Sequence, residues 1–185
     1  KYTGKDLRCI ENFLKFNPPL EETVATELVF EVPVKDDITL NGIIDRVVKG
    51  KDGGYLIIDY KTSKREKSKV ELYQDTQLKG YAYAISKLYE VPISNIVAAH
   101  YYPLTNNFVF VQYSNPQINA HLRKIVDEVW KIRKRKKDEM KPSRNDFCNW
   151  CAYKSACPEF NNPMQCAKKI EELKAKKKSS SKSRK

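Results

Sequence analysis

Three ionisable residues stand where strands should be apolar. The stretch from Leu40 to Thr62 reads LNGIIDRVVKGKDGGYLIIDYKT. Asp45 interrupts the first apolar run, and Asp59 and Lys61 interrupt the second. Between them Lys51-Asp52-Gly53-Gly54 supplies residues that accept positive φ, a hairpin signal. Asp59 and Lys61 are two apart on a strand and so share a face. A hairpin turning near Asp52 sets Asp45 opposite Asp59, within a residue or so, and cross-strand Cβ atoms lie roughly 4.5–5.5 Å apart. Carboxylates that close repel each other unless a proton or a cation sits between them. Mg2+ or Mn2+, held by one or two carboxylates plus substrate oxygens, suits such a donor pair. Lys61 beside it could orient or deprotonate a water, or stabilise charge on a phosphate. The competing account pairs Asp45 with Arg46 or a lysine and leaves Asp59 and Lys61 on a solvated face. An isolated D-x-K is common, but Ile57, Ile58 and Tyr60 embed this one in an apolar strand, and Gly42 leaves room for close approach.

The elements that must hold this hairpin follow from periodicity. Leu7, Ile10 and Leu14 recur at helical spacing, and Asn17-Pro18-Pro19 ends that helix. Thr26 to Val34 alternates as a strand, with a turn at Lys35-Asp36-Asp37. Residues 70–89 are helical, with Leu72, Gly80, Ala84 and Leu88 facing inward beside Tyr81 and Ile85. Ile96–Tyr102 and Asn107–Tyr113 form a second strand pair. A long helix runs from Asn115 toward Met140 on an apolar stripe of Ile118, Leu122, Ile125, Val129 and Ile132. These elements predict an α/β (α+β) fold: a central mixed, mainly antiparallel sheet flanked by helices. Residues 1–141 make the core, 142–167 a cysteine segment, and 168–185 a basic tail whose composition predicts disorder.

The chain has 185 residues and a formal net charge of +12, much of it in the tail. Such a balance favours a polyanion partner, nucleic acid first. No apolar run approaches the roughly 20 residues that span a bilayer, and no signal-peptide pattern opens the sequence, so an intracellular protein without a membrane partner is expected. Lys64, Arg65, Lys67, Lys69 and the basic stretch 131–137 could meet phosphates. Tyr73, Tyr81, Tyr83 and Tyr101 could stack on bases or could belong to the core.

Three of five cysteines, Cys148, Cys151 and Cys157, lie within ten residues as C-x2-C-x5-C. In an intracellular protein that spacing reads as metal or iron–sulfur ligation rather than disulfides. A closed site needs four thiolates. Cys9, Cys166 or a cysteine outside this sequence could be the fourth, Cys166 making a zinc site.

Gly42-x-x-Asp45, then Ile58-Asp-Tyr-Lys-Thr62, then Gln77-x-x-x-Tyr81, in this order, resembles the PD-(D/E)XK nuclease superfamily. More narrowly it resembles the RecB-like exonuclease branch, as in CRISPR-associated exonucleases and the AddB nuclease domain. The resemblance implies a restriction-endonuclease-like core and divalent-metal-dependent hydrolysis of DNA, as ends or single strands, in recombination, repair or replication. It makes Asp45 and Asp59 ligands of Mg2+ or Mn2+ together with the carbonyl of Tyr60, and Lys61 the catalytic lysine. Gln77 and Tyr81, one helical turn apart, support the substrate site. Glu27 matches an acidic position of the preceding strand. Cys148, Cys151 and Cys157, with Cys9 or a thiol outside the sequence, would hold a [4Fe–4S] cluster (Zn2+ in the alternative account). A helicase or recombination protein is the implied partner. One departure stands out: the family's metal-site histidine precedes the first strand, whereas the two histidines here, His100 and His121, follow it. Neither matches that position, and a catalytically impaired nucleic-acid-binding module of the same fold is the alternative.

Overall fold

A computed structural model describes residues 3–15, 23–136 and 141–182. The expected helix end at 17–19, the far end of the long helix near 140, and the last residues 183–185 lie outside them. Residues 1–131 form one compact unit and 132–185 a second.

The first unit starts with helix α1 (Gly4–Lys15) and then builds a five-stranded sheet. Its strands are β1 (Thr23–Lys35), β2 (Ile38–Lys49), β3 (Tyr55–Tyr60), β4 (Ile96–Tyr102) and β5 (Asn107–Gln112). Spatial order equals chain order. All neighbours are antiparallel except β3 and β4, which run parallel. A parallel pair needs a crossover, supplied by helices α2 (Lys69–Gln74) and α3 (Thr76–Leu88). The mixed, mainly antiparallel sheet is the one the sequence predicts.

One sheet face buries Phe30, Ile44, Val47, Ile57 and Ala98 against Leu72, Leu78, Tyr81 and Ile85 of the crossover helices. Fully burying a side chain of the Leu or Ile class contributes about 1.5–3 kcal/mol, so this interface anchors the crossover. The other face carries a smaller cluster of Val48, Ile58 and Tyr101 with Leu56, Tyr60 and Phe108. There Phe13 of α1 meets Tyr60 edge-on at 5.9 Å, and the Asn12 amide donates to the Pro103 carbonyl at 2.8 Å.

The expected single helix over 70–89 is broken at Asp75. That residue has extended backbone (φ −66°, ψ 119°) and caps α3 by accepting from the Leu78 N–H. Leu72, Gly80 and Ala84 are buried as expected, whereas Leu88 is exposed. Helix α4 (Asn115–Lys134), most of which belongs to the first unit, buries only Ile118 fully among the described residues, and its stripe fades to an exposed Ile132.

The second unit has two short 3-10 turns, Asp146–Asn149 and Lys154–Ala156, and then helix α5 (Pro163–Lys182). Regular helix therefore runs through much of the stretch whose composition predicts disorder: Lys, Glu and Ala all favour helix even where nothing is buried. No helix among the described residues is long and apolar enough to cross a membrane.

Candidate active site

The β2–β3 ladder ends at Arg46 opposite Ile58, so the next step sets Asp45 opposite Asp59. The ladder opens there because a side chain replaces the main chain: Asp45 Oδ2 accepts the Tyr60 N–H at 2.9 Å. On the far side of β3, Asp59 pairs with His100 of β4. On the far side of β2, Thr26 faces Arg46 and Leu28 faces Ile44, which leaves Glu27 opposite Asp45. One row across four strands therefore reads Glu27, Asp45, Asp59, His100.

The row sits at a kink. Ile44 and Val47 are both fully buried in the same core although they are three apart, which a regular period-two strand does not permit. Glu27, across from the kink, has φ 49°. That left-handed conformation costs a non-glycine residue on the order of 1–2 kcal/mol and marks a site held in place by its surroundings. The Glu27 side chain is exposed.

Asp59 is buried, 2% exposed, and points to the crossover side of the sheet. Its Oδ2 forms an ion pair with Lys61 Nζ at 2.6 Å but makes no aligned hydrogen bond. Burial pushes its carboxyl above the usual aspartate range, Lys61 pulls it back, and Asp45 and Asp75 push it further up. Lys61 lies past the end of β3, one residue beyond the strand, yet its N–H still donates to the Tyr101 carbonyl at 2.9 Å. Its side chain, 31% exposed, also donates to Gln77 Oε1 at 3.1 Å. Gln77 in turn donates to the Tyr81 hydroxyl at 2.7 Å. Tyr81 meets the Phe30 ring edge-on at 5.9 Å.

That ring explains Gly42. A Cβ there would come within 2.9 Å of the Phe30 ring, so the space expected for a ligand or a backbone is filled by an aromatic side chain. Gly42, Phe30, Tyr81, Gln77, Lys61 and Asp59 form one contact chain that joins the three sequence motifs.

His100, given no part by the sequence, is in the site. It is fully buried, its Nε2 lies 3.6 Å from Asp59 Oδ2 and 3.8 Å from Asp75 Oδ2, and its Nδ1 is 3.3 Å from the Tyr102 hydroxyl. Burial lowers its pKa to about 4, Asp75 opposing and Lys61 and Lys67 assisting, so the ring is neutral near pH 7. The contacts to the aspartates are therefore not ion pairs. Asp75 is missed as well. Burial alone would raise its pKa, but the Lys67 ammonium at 2.7 Å and the Leu78 N–H outweigh burial and hold it low. The signal for His100 lay in two matched runs, Ile57-Ile58-Asp59-Tyr60 and Ala98-Ala99-His100-Tyr101, each with a single polar residue at the same offset. The signal for Asp75 was a capping residue inside a helical window. His121 is half-buried on α4, and Lys79 and Lys124 join burial in lowering its pKa.

Among the described residues no three His, Cys, Asp or Glu side chains converge as a ready metal cage. The fit is of another kind. Two carboxylates stand at adjacent register positions, and the inner oxygen of one is buried without an aligned donor. A hard divalent ion that keeps waters and takes one or two carboxylates is suited by such a set. A cavity of about 640 Å3 at the opposite end of β3, lined by Lys49, Asp52, Tyr55 and Gln112, contains none of these groups. Tyr81, Tyr83 and Tyr101 are buried in the core and so are not free to stack on bases, while Tyr73 is half-buried.

In the second unit Cys148, Cys151 and Cys157 line one cavity of about 360 Å3 with Phe147, Tyr153 and Phe160. Cys148 Sγ accepts the Asn145 N–H at 3.3 Å. Cys166 is buried on α5, donates to the Asn161 carbonyl at 3.7 Å, and is not among the cavity's lining residues. Cys9 is half-buried on α1 in the first unit.

The sequence from residue 3 to 158 matches a family model described as the PD-(D/E)XK nuclease superfamily. A search of curated proteins finds no match. A solved structure named "Crystal structure of SSO0001" is similar over 85% of this chain and 70% of its own, at 16% identity and a TM-score of 0.48.

Proposed function

The chain belongs to the PD-(D/E)XK nuclease superfamily, and we propose that it is a divalent-metal-dependent deoxyribonuclease of the RecB-like branch, acting on DNA ends or single strands. The observation that carries this reading is the placement of Asp45 and Asp59 at adjacent register positions, with Lys61 held beside them by Gln77. Asp45, Asp59 and the Tyr60 carbonyl would hold Mg2+ or Mn2+, and the bound ion would supply charge stabilisation at the scissile phosphate.

The chain's own residues have distinct parts. Asp45 is oriented by the Tyr60 N–H, so the hairpin's own backbone sets its direction. Lys61 is positioned from two sides, by Asp59 and by Gln77. Its ammonium can turn toward a phosphate oxygen or an attacking water without moving the strand. Tyr81 keeps Gln77 in place. Glu27, exposed at the edge of the row, would meet substrate or solvent rather than the buried carboxylate. In the second unit, the cavity lined by Cys148, Cys151 and Cys157 would supply three thiolates to a [4Fe–4S] cluster. The cluster would act as a structural staple. A helicase or recombination partner would present the DNA.

Asp59→Ala and Lys61→Ala test the assignment. Each should lower Mn2+-dependent cleavage of single-stranded DNA by at least about 10^2-fold, the scale of losing a positioned charge at the reacting phosphate, with an unchanged circular dichroism spectrum. Cutting at the wild-type rate by either variant sinks the reading. Binding of DNA by the wild-type protein without any cleavage in Mn2+ would favour the alternative, a catalytically impaired nucleic-acid-binding module of the same fold.

A further inference from the structure

The row across the sheet ends in a histidine whose hydrogen bonds do not close. His100 is fully buried, yet its Nε2 makes no hydrogen bond; it faces, at 3.6 Å, the Asp59 Oδ2 that the Lys61 ammonium holds at 2.6 Å. Leaving a buried polar atom unsatisfied is costly. An orphaned Nε2 aimed at a carboxylate oxygen just beyond hydrogen-bond reach marks a contact made in another state of the site.

The surrounding bonds suit one tautomer. The Tyr102 hydroxyl accepts the Lys67 N–H at 2.9 Å and has its own proton to give to His100 Nδ1, 3.3 Å away. In that tautomer the ring proton is on Nε2, which faces Asp59 and Asp75. Asp75 has no need of it: its Oδ1 accepts the Leu78 N–H at 3.0 Å and its Oδ2 takes the Lys67 ammonium at 2.7 Å. Asp59 Oδ2 has Lys61 alone, in an ion pair without an aligned hydrogen bond.

Lys61 therefore has two tasks that conflict. While it neutralises the buried Asp59 oxygen it cannot turn to a substrate. Once it turns away, that oxygen has no donor other than His100. The gap to be closed is a few tenths of an ångström, from 3.6 Å to the roughly 3.2 Å limit of an N–H to O bond. We propose that His100 is a positioning residue: an imidazole, oriented by Tyr102, whose Nε2–H takes over the inner oxygen of Asp59 when Lys61 turns to the substrate, so that the carboxylate keeps its orientation. This rests on the reading of Asp59 and Lys61 given above.

The test is Mn2+ affinity in the presence of a saturating, cleavage-resistant phosphorothioate single-stranded DNA, corrected for Mn2+ bound by that DNA alone and read by electron paramagnetic resonance of the free ion, in the full chain and in His100→Gln, His100→Asn and His100→Phe. Thermal unfolding without metal runs in parallel. A glutamine places its amide nitrogen near Nε2, and an asparagine places it near Nδ1. His100→Asn and His100→Phe should bind Mn2+ about 10–100-fold more weakly, the scale of losing an outer-shell partner of a metal ligand. His100→Gln should bind nearly as tightly as the wild type, whatever its melting temperature. Equal weakening in the glutamine and asparagine variants, or full affinity in His100→Phe, overturns the proposal. If His100→Phe does not fold, the contrast between the two amides decides. Asp59→Asn separates the two levels. Wild-type Mn2+ affinity there removes the metal reading itself, whereas loss there with intact affinity in every His100 variant removes only the role of His100.

Discussion

Residues 1–131 and 132–185 handle charge in opposite ways. Of the 35 Lys and Arg, 17 lie in the second unit, with only six of the 23 Asp and Glu. The first unit is thus close to neutral at +1, and the second carries +11 of the chain's +12. The near-neutral unit buries two aspartates and a histidine and ties the acids to lysines nearer the surface: Asp59 to Lys61, Asp75 to Lys67, with a neutral His100 between the two aspartates. The basic unit leaves large side chains in solvent, with Phe147, Trp150 and Tyr153 each at least 70% exposed. Net charge acts at a distance and is screened by salt, while buried pairs act at contact and are screened much less. On the proposed reading, capture of DNA belongs to the second unit and its cleavage to the first.

Neutralising the second unit should therefore weaken binding without touching the chemistry. Substituting Gln for Lys174, Lys176, Lys177 and Lys178 together should lower affinity for single-stranded DNA on the order of 10^2-fold at low salt. It should also make the slope of log affinity against log salt shallower by up to about 3, near 0.7 per lost phosphate contact. The rate of cleavage at saturating DNA should stay unchanged. A fall in that saturated rate would break the division between the units, and so would an unaltered salt slope.

The sequence showed the hairpin and its register because a two-residue period and a glycine-rich turn are local signals, and Asp45 and Asp59 follow from them. It showed the mixed sheet because strands and helices differ in period. It did not show His100, because β3 and β4 are 41 positions apart at the pairing of Asp59 with His100 and no local rule sets a parallel register. It did not show Asp75, because a capping residue between two helices in contact reads as one more helical position. Gly42 was read as room for a ligand, since nothing local revealed that the Phe30 ring lies over it. The mixed site is thus legible where its residues share a hairpin and hidden where they meet through the crossover.

Within the neutral unit, the buried carboxylates should matter for stability as the lysines of the second unit do not. Asp75→Ala removes the α3 cap and strands Lys67, which should cost about 2 kcal/mol by urea unfolding. Asp75→Asn keeps the cap and should cost distinctly less. Equal losses would show that the ion pair rather than the cap carries the effect. Gly42→Ala should cost less again, about 1 kcal/mol, because Phe30 must shift by a fraction of an ångström in a packed core. It should also loosen Tyr81 and Gln77, and therefore lower activity more than stability. A stability loss with full activity would separate the glycine from the contact chain that ends at Lys61.

The smallest effect should come from an ionic group of the first unit that is at the surface. Ser68 and Glu71 form a capping box at the start of α2: Glu71 accepts from the Ser68 N–H at 2.8 Å, and Ser68 Oγ accepts the Glu71 N–H at 3.3 Å. The Ser68 backbone bond, then the Ser68 hydroxyl, then Arg65 hold the Glu71 carboxyl below its ordinary value of 4.5. A carboxylate held low in the folded state contributes stability in full above its unfolded pKa. It loses that contribution as pH falls through the folded value. Glu71→Gln should therefore differ slightly from the wild type in melting temperature at pH 7, and the two should converge only as pH falls through the lowered folded-state pKa of Glu71, where both side chains are uncharged. Salt should narrow the difference at pH 7, since Glu71 and Arg65 face solvent. A gap that persists at low pH, or one as large as that of Asp75→Ala, would mean that exposed and buried ions in this unit contribute alike, and the contrast between contact and distance would not hold.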